Sequence, residues 1–151
     1  MKYTRLTKEQ FEELHSEFAR FLASQNIDKA EWEQLKTEKP QVAEQELDVF
    51  SDLIWEGALN QTEYLERFSK NHIFLFRFHE KEAQSIVITA ADNSVDFLSK
   101  EGLVWLSENL TSDKIEIRKG KKALQNRNEE IFNLIRQGAL ISKGELYESL
   151  S

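Results

Sequence analysis

The chain contains no cysteine. That absence removes disulfides, thiolate nucleophiles, CxxC redox motifs and cysteine-based zinc sites, and it points away from a small disulfide-stapled secreted domain. It has one proline and five glycines in 151 residues. Gly57, Gly102, Gly120, Gly138 and Gly144 stand singly, where element ends would place them, so no Gly/Ser tether and no phosphate-cradling loop can be built. Long hydrophobic runs are missing too. No uncharged apolar stretch exceeds four residues, as at Ile73 to Phe76, against the roughly 18 of a membrane-spanning helix. The opening residues Met1-Lys2-Tyr3-Thr4-Arg5 lack the apolar core of a signal peptide. The expectation is a soluble cytoplasmic protein without membrane contact.

Positive charge is in deficit as well. Lys and Arg number 20 against 27 Asp and Glu, a net charge of −7. This disfavours a nucleic-acid backbone as the main partner unless a local basic patch overrides it. Core material, by contrast, is ample. Hydrophobic residues make up 40% of the chain, with ten Phe and three Trp, enough for a single domain over residues 1–151.

Three helix starts are written in one phrase: an apolar residue, a capping residue, two arbitrary ones, an acid or amide, then another apolar residue. It occurs as Leu6-Thr7-x-x-Gln10-Phe11, Ile27-Asp28-x-x-Glu31-Trp32 and Ile141-Ser142-x-x-Glu145-Leu146. The cap side chain accepts from an orphan backbone N–H three residues on, and the acid or amide reaches back to the cap's own N–H. Leu110-Thr111-x-x-Lys114-Ile115 repeats the pattern where a strand is expected, so the phrase is not infallible.

Apolar spacing predicts a helix from Thr7 to about Gln25, ended by Asn26, and a short one from Asp28 through Leu35. A third follows Pro40 and runs to Glu56 with Gly57 as its C-terminal cap, and Thr62 opens another carrying Tyr64, Leu65 and Phe68. At Asn71 the period changes to two. His72–His79 and Gln84–Ala90 read as a hairpin at the sheet centre, with Phe74, Phe76 and Phe78 toward packed helices. Ser99 caps a further helix, Lys114–Arg118 alternates as an edge strand ended by Gly120, and a last long helix spans about Lys121–Gln137. The fold class is α+β: a helical part over about 1–68, then a small, mainly antiparallel sheet with packed helices over about 69–151.

The stretches EQELDVFSDLIWEG (Glu44–Gly57) and SKNHIFLF (Ser69–Phe76) resemble those of an uncharacterised family of small bacterial proteins, a domain of unknown function. The resemblance covers most of the chain and implies a stand-alone bacterial protein. No activity is attached to that family, so no site residue is carried over.

No GxSxG, HExxH or EF-hand pattern occurs. His72 and His79 are an odd number of residues apart on one predicted strand, which points them to opposite faces, and His15 borders the first helix's apolar stripe. Arg118-Lys119-Gly120-Lys121-Lys122 lacks a phosphate-loop frame and reads first as a solvated turn, second as an anion or partner contact. On the third helix, Val42, Ala43, Leu47, Val49, Phe50, Leu53 and Ile54 share one arc, and Glu46 falls inside it. A carboxylate there needs a partner or a raised pKa. On the opposite face Glu44, Asp48, Asp52 and Glu56 follow at i+4 spacing, with Trp55 among them. An aromatic ring in an acidic setting suits a docking surface, unless Leu59, Tyr64 or Leu65 folds back over it.

The resulting expectation is a non-enzymatic accessory or interaction module that docks a protein partner of basic surface through Glu44, Asp48, Asp52, Trp55 and Glu56, with no cofactor and no metal. The alternative is a small metal-dependent hydrolase built on Glu44, Asp48 and Asp52 with a histidine. It would need acids from a second helix, for which Glu129-Glu130 is the one loose candidate.

Overall fold

The computed structural model describes residues 1–151. Its elements are α1 (Lys8–Glu13), α2 (His15–Ser24), α3 (Lys29–Glu38), α4 (Pro40–Gln61), β1 (Tyr64–Phe68), β2 (His72–Phe78), β3 (Glu82–Ala90), α5 (Lys100–Asn109), β4 (Ile115–Ala123), α6 (Arg127–Arg136), β5 (Leu140–Ser142) and α7 (Glu145–Leu150). A helical N-terminal half precedes an antiparallel sheet, the α+β class expected from the sequence. The chain divides into two compact units, Met1–Asn60 and Gln61–Ser151.

In the first unit, Thr7 and Gln10 form the full capping box: the Gln10 N–H donates to the Thr7 hydroxyl at 3.2 Å and the Thr7 N–H to the Gln10 amide at 2.8 Å. The helix expected to run to Gln25 is broken at Leu14 (φ −100°, ψ 22°), which separates α1 from α2. Asn26 ends α2 in the left-handed region (φ 61°), a conformation its short polar side chain tolerates. Asp28 caps α3 by accepting the Glu31 N–H at 2.7 Å, and Pro40 opens α4.

Helix α4 does not stop at Gly57 but continues to Gln61. Ala58, Leu59, Asn60 and Gln61 are compatible with helix, and one interior glycine costs only about 1 kcal/mol. Along α4 the buried line is Ala43, Phe50 and Ser51, with Leu47 and Ile54 half-buried, whereas Val42, Val49 and Leu53 of the same arc face solvent. Phe50 gathers Phe11, Phe18 and Phe21 around it at ring distances of 5.0–6.0 Å, and Trp32 meets Phe18 edge-on at 5.2 Å. Edge and offset ring contacts of this kind add to burial of the rings' area.

The second unit holds one five-stranded sheet in the order β4-β3-β2-β1-β5, antiparallel throughout. The expected hairpin is present, with β2 in the middle and Ile73 opposite Ile88. The more deeply buried face of the hairpin is the one opposite the phenylalanines. Ile73, Leu75, Ile86 and Ile88 are the fully buried residues, packed with Phe97, Leu106 and Tyr147, while Phe74 and Phe76 remain half-buried and Phe78 is buried. Branched aliphatic side chains fill the space under α5 and α7, and the rings of Phe76 and Phe78 lie on the other face beside Leu134 of α6.

Three further expectations give way. Residues 64–68 form β1, not a helix, so the sheet begins at Tyr64: Leu65 is buried opposite Phe76, and a five-residue segment takes the structure its neighbours supply. Gly120 does not end β4. The strand runs through the cationic residues to Ala123, and the helix expected from Lys121 starts at Arg127. The third capping phrase also misleads. Ser142 closes β5, and α7 starts at Glu145 behind Gly144, whose φ of 79° no L side chain readily adopts.

Candidate functional site

The acidic face of α4 is occupied by the chain's own residues 2–5, a stretch with neither helix nor strand. Asp52 accepts two backbone N–H groups, from Lys2 at 2.7 Å and Tyr3 at 2.9 Å. One turn on, Glu56 accepts the Tyr3 hydroxyl and the Lys2 ammonium, the latter at 3.3 Å. One turn before, the Arg5 guanidinium donates to Asp48 at 2.7 Å and also feels the charge of Glu44. The i+4 repeat thus matches the rise of an extended backbone crossing the helix. The stretch continues into Leu6, whose N–H donates to the buried Ser51 hydroxyl at 3.0 Å, while that hydroxyl donates to the Leu47 carbonyl at 2.7 Å. Of the expected site residues, Asp48, Asp52 and Glu56 are therefore brought together on one segment. Glu44 is exposed, and Trp55 is half-buried.

These contacts move the pKa values of the covering residues. Lys2 is raised above its ordinary value, chiefly by its hydrogen bond to Glu56, and Arg5 by its hydrogen bond to Asp48. Tyr3 is raised by burial first and by Glu56 second. A raised lysine stabilises the folded arrangement fully below pH about 10.5 and loses that contribution as pH climbs through its folded value. The ion pairs stay partly in solvent, with side chains 30–62% exposed. Pairs so exposed contribute little each and weaken with salt.

Glu46 is half-buried, and its Oε2 is shielded from solvent without a hydrogen-bond partner. The histidines do not converge. His15 Nδ1 contacts the Glu12 carbonyl, exposed His72 stacks on Phe74, and His79 Nε2 contacts Gln84 at 3.1 Å just beyond β2. No three His, Asp or Glu side chains gather in the manner of a metal site.

The second unit presents two grooves on opposite faces of the sheet. One, of about 570 Å³, lies between β2–β4 and α6 and is lined by Phe76, Phe78, Leu134, Lys122 and Glu130, the last two ion-paired at 2.8 Å. The other, of about 530 Å³, is lined by Arg77, Gln84, Ile86, Lys119, Lys121 and Tyr147. Arg77 is already engaged there by Glu63 at 3.2 Å and Glu148 at 3.3 Å, and it lies over the Tyr64 ring at 5.6 Å. Sequence reasoning missed this cluster because its members come from four separate elements.

The whole chain, residues 1–151, matches the family described as "Family of unknown function (DUF6495)", and the protein belongs to that family. No curated protein and no solved structure matches it.

Proposed function

We propose that this DUF6495 member is a non-enzymatic interaction module of the bacterial cytoplasm, and that the acidic face of α4 docks an extended basic segment of a protein partner. The observation that supports this reading is the way residues 2–5 lie on Asp48, Asp52 and Glu56. The face takes up two successive backbone N–H groups, a lysine, a phenol and an arginine, which together describe a ligand of the form Lys-Tyr-x-Arg. Half-buried Trp55 adds apolar surface beside Glu56. Because the ion pairs of Lys2 and Arg5 are solvent-exposed and Tyr3 is only half-buried, a partner carrying the same pattern can replace them residue for residue. The internal segment then acts as a competitor that lowers the partner's apparent affinity by the fraction of time the face is free.

The test is a fluorescence titration with a labelled Lys-Tyr-Thr-Arg peptide. Full-length protein carrying Lys2→Ala, Tyr3→Ala and Arg5→Ala is expected to bind it at least tenfold more tightly than the natural chain. Adding Asp48→Asn and Asp52→Asn should abolish that binding, and the association rate should fall as salt is raised. A triple variant that folds yet shows no binding, or binding indifferent to the two Asn substitutions, overturns the reading.

A further inference from the structure

Strand β4 is an edge of the sheet, with β3 on one side and no strand on the other. Its ladder is fixed at both ends: the Ala91 N–H donates to the Lys114 carbonyl, and the Leu124 N–H to the Lys81 carbonyl, both at 2.9 Å. In an antiparallel pair, bonded and non-bonded positions alternate. With the observed register, Glu116, Arg118, Gly120 and Lys122 therefore turn their backbone groups toward β3. Ile117, Lys119, Lys121 and Ala123 turn theirs toward the open edge.

The same strand carries four cations within Arg118–Lys122, in a chain of net charge −7. Arg118 bonds Glu116 at 2.8 Å and Lys122 bonds Glu130 at 2.8 Å. Lys119 and Lys121 form no ion pair, and both are exposed along the groove that Arg77 and Tyr147 line. Lysine on an edge strand ordinarily discourages pairing. It does so selectively: a second copy of β4 would set cations against cations, whereas a strand carrying carboxylates would set opposite charges in direct cross-strand register.

We propose that the open edge of β4 binds an extended acidic protein segment by strand addition, its backbone bonding to Ile117, Lys119, Lys121 and Ala123 and its carboxylates meeting Lys119 and Lys121. The main-chain bonds supply affinity for an extended shape, and the two unpaired ammonium groups supply the preference for acid. This surface lies within residues 61–151 and is independent of the face on α4.

The experiment uses the full chain and an end-capped octapeptide of alternating glutamate and valine, followed by amide hydrogen exchange. The amides of Ile117, Lys119, Lys121 and Ala123 are expected to gain protection, while those of Arg118, Gly120 and Lys122 are already protected and stay so. Lys119→Glu with Lys121→Glu should weaken binding at least tenfold at low salt, and Lys119→Gln with Lys121→Gln should weaken it less. Both positions are exposed, and near-ultraviolet circular dichroism checks that each variant folds. Protection confined to other elements, or affinity unchanged by charge reversal, overturns the proposal. Equal binding of an oligothymidine without edge protection does so as well, because it would make the strand a general polyanion surface.

Discussion

Tyr64 projects from β1 to α7, where its hydroxyl donates to Glu148 and its ring lies tilted against that of Tyr147 at 5.7 Å. The hydrogen bond to Glu148 is the main cause that pushes the Tyr64 phenol up to about 12, with burial adding to it and Arg77 opposing. A phenol raised in the folded state stabilises it fully below its unfolded value of about 10 and loses that contribution as pH climbs toward the folded one. An absorbance titration of tyrosinate is therefore expected to show one of the three tyrosines ionising near pH 12. That component should vanish in Tyr64→Phe; if it persists unchanged, it belongs to another tyrosine and the bond to Glu148 does not raise Tyr64. At this scale, legibility follows the range of the interaction. The caps at Thr7, Asp28 and Ser99 were readable because donor and acceptor lie three residues apart. Tyr64 and Glu148 are 84 residues apart, and Arg5 and Asp48 are 43 apart, and no local pattern announces either pair.

Helix α4 offers the clearest test among the elements. A Cβ at Gly57 would meet nothing within 4 Å, and the residue lies four positions before the end of the helix. Gly57→Ala is expected to raise stability by about 0.5–1 kcal/mol, because alanine loses less backbone freedom on folding and nothing obstructs its methyl group. A urea denaturation midpoint that fails to rise would mean that the helix ends at Gly57, as the sequence alone suggests. Gly102 is the contrasting case. A Cβ there would come 1.8 Å from the Asp96 carbonyl, so this glycine is held by close approach and not by an element end. The misread strands share one cause. The Gly120 stop, the Thr62 start and the Ser142 cap are local signals that strand pairing overrides, whereas the Gly57 stop fails because one glycine is too weak to end a helix. β1 exists because it pairs with β2 and β5, β5 because it pairs with β1, and β4 continues past Gly120 because β3 runs alongside it to Glu82.

Over the whole chain, charge is divided unevenly. Residues 1–60 hold seven basic and thirteen acidic side chains, a net −6, and residues 61–151 hold thirteen and fourteen, a net −1. The total of −7 conceals a near-neutral second unit with a cationic edge, and the sequence reading that set nucleic acid aside rested on the total. The α+β class was legible because the switch of period near Asn71 is a property of the pattern itself. Strand order was only half legible: β2 with β3 is a short hairpin, but β5 pairing with β1 is set by distant residues.

That last pairing also sets an order of assembly. β1, β2 and β3 are joined by the short connections Ser69–Asn71 and His79–Lys81, so their ladders close small loops, whereas Glu66 must wait for Leu140 from the far end of the unit. Closing a long loop costs more entropy before any contact returns it, so the β1–β5 pairing is expected to form late. In stopped-flow experiments Ile88→Val in β3 should mainly slow folding, and Tyr147→Ala in α7 should mainly speed unfolding. Equal slowing of folding by both would place the C-terminal segment in the nucleus. If the order holds, a ribosome-bound chain has its central strands paired while β5 and α7 are still being made, and β1 is left for that interval as an uncovered edge.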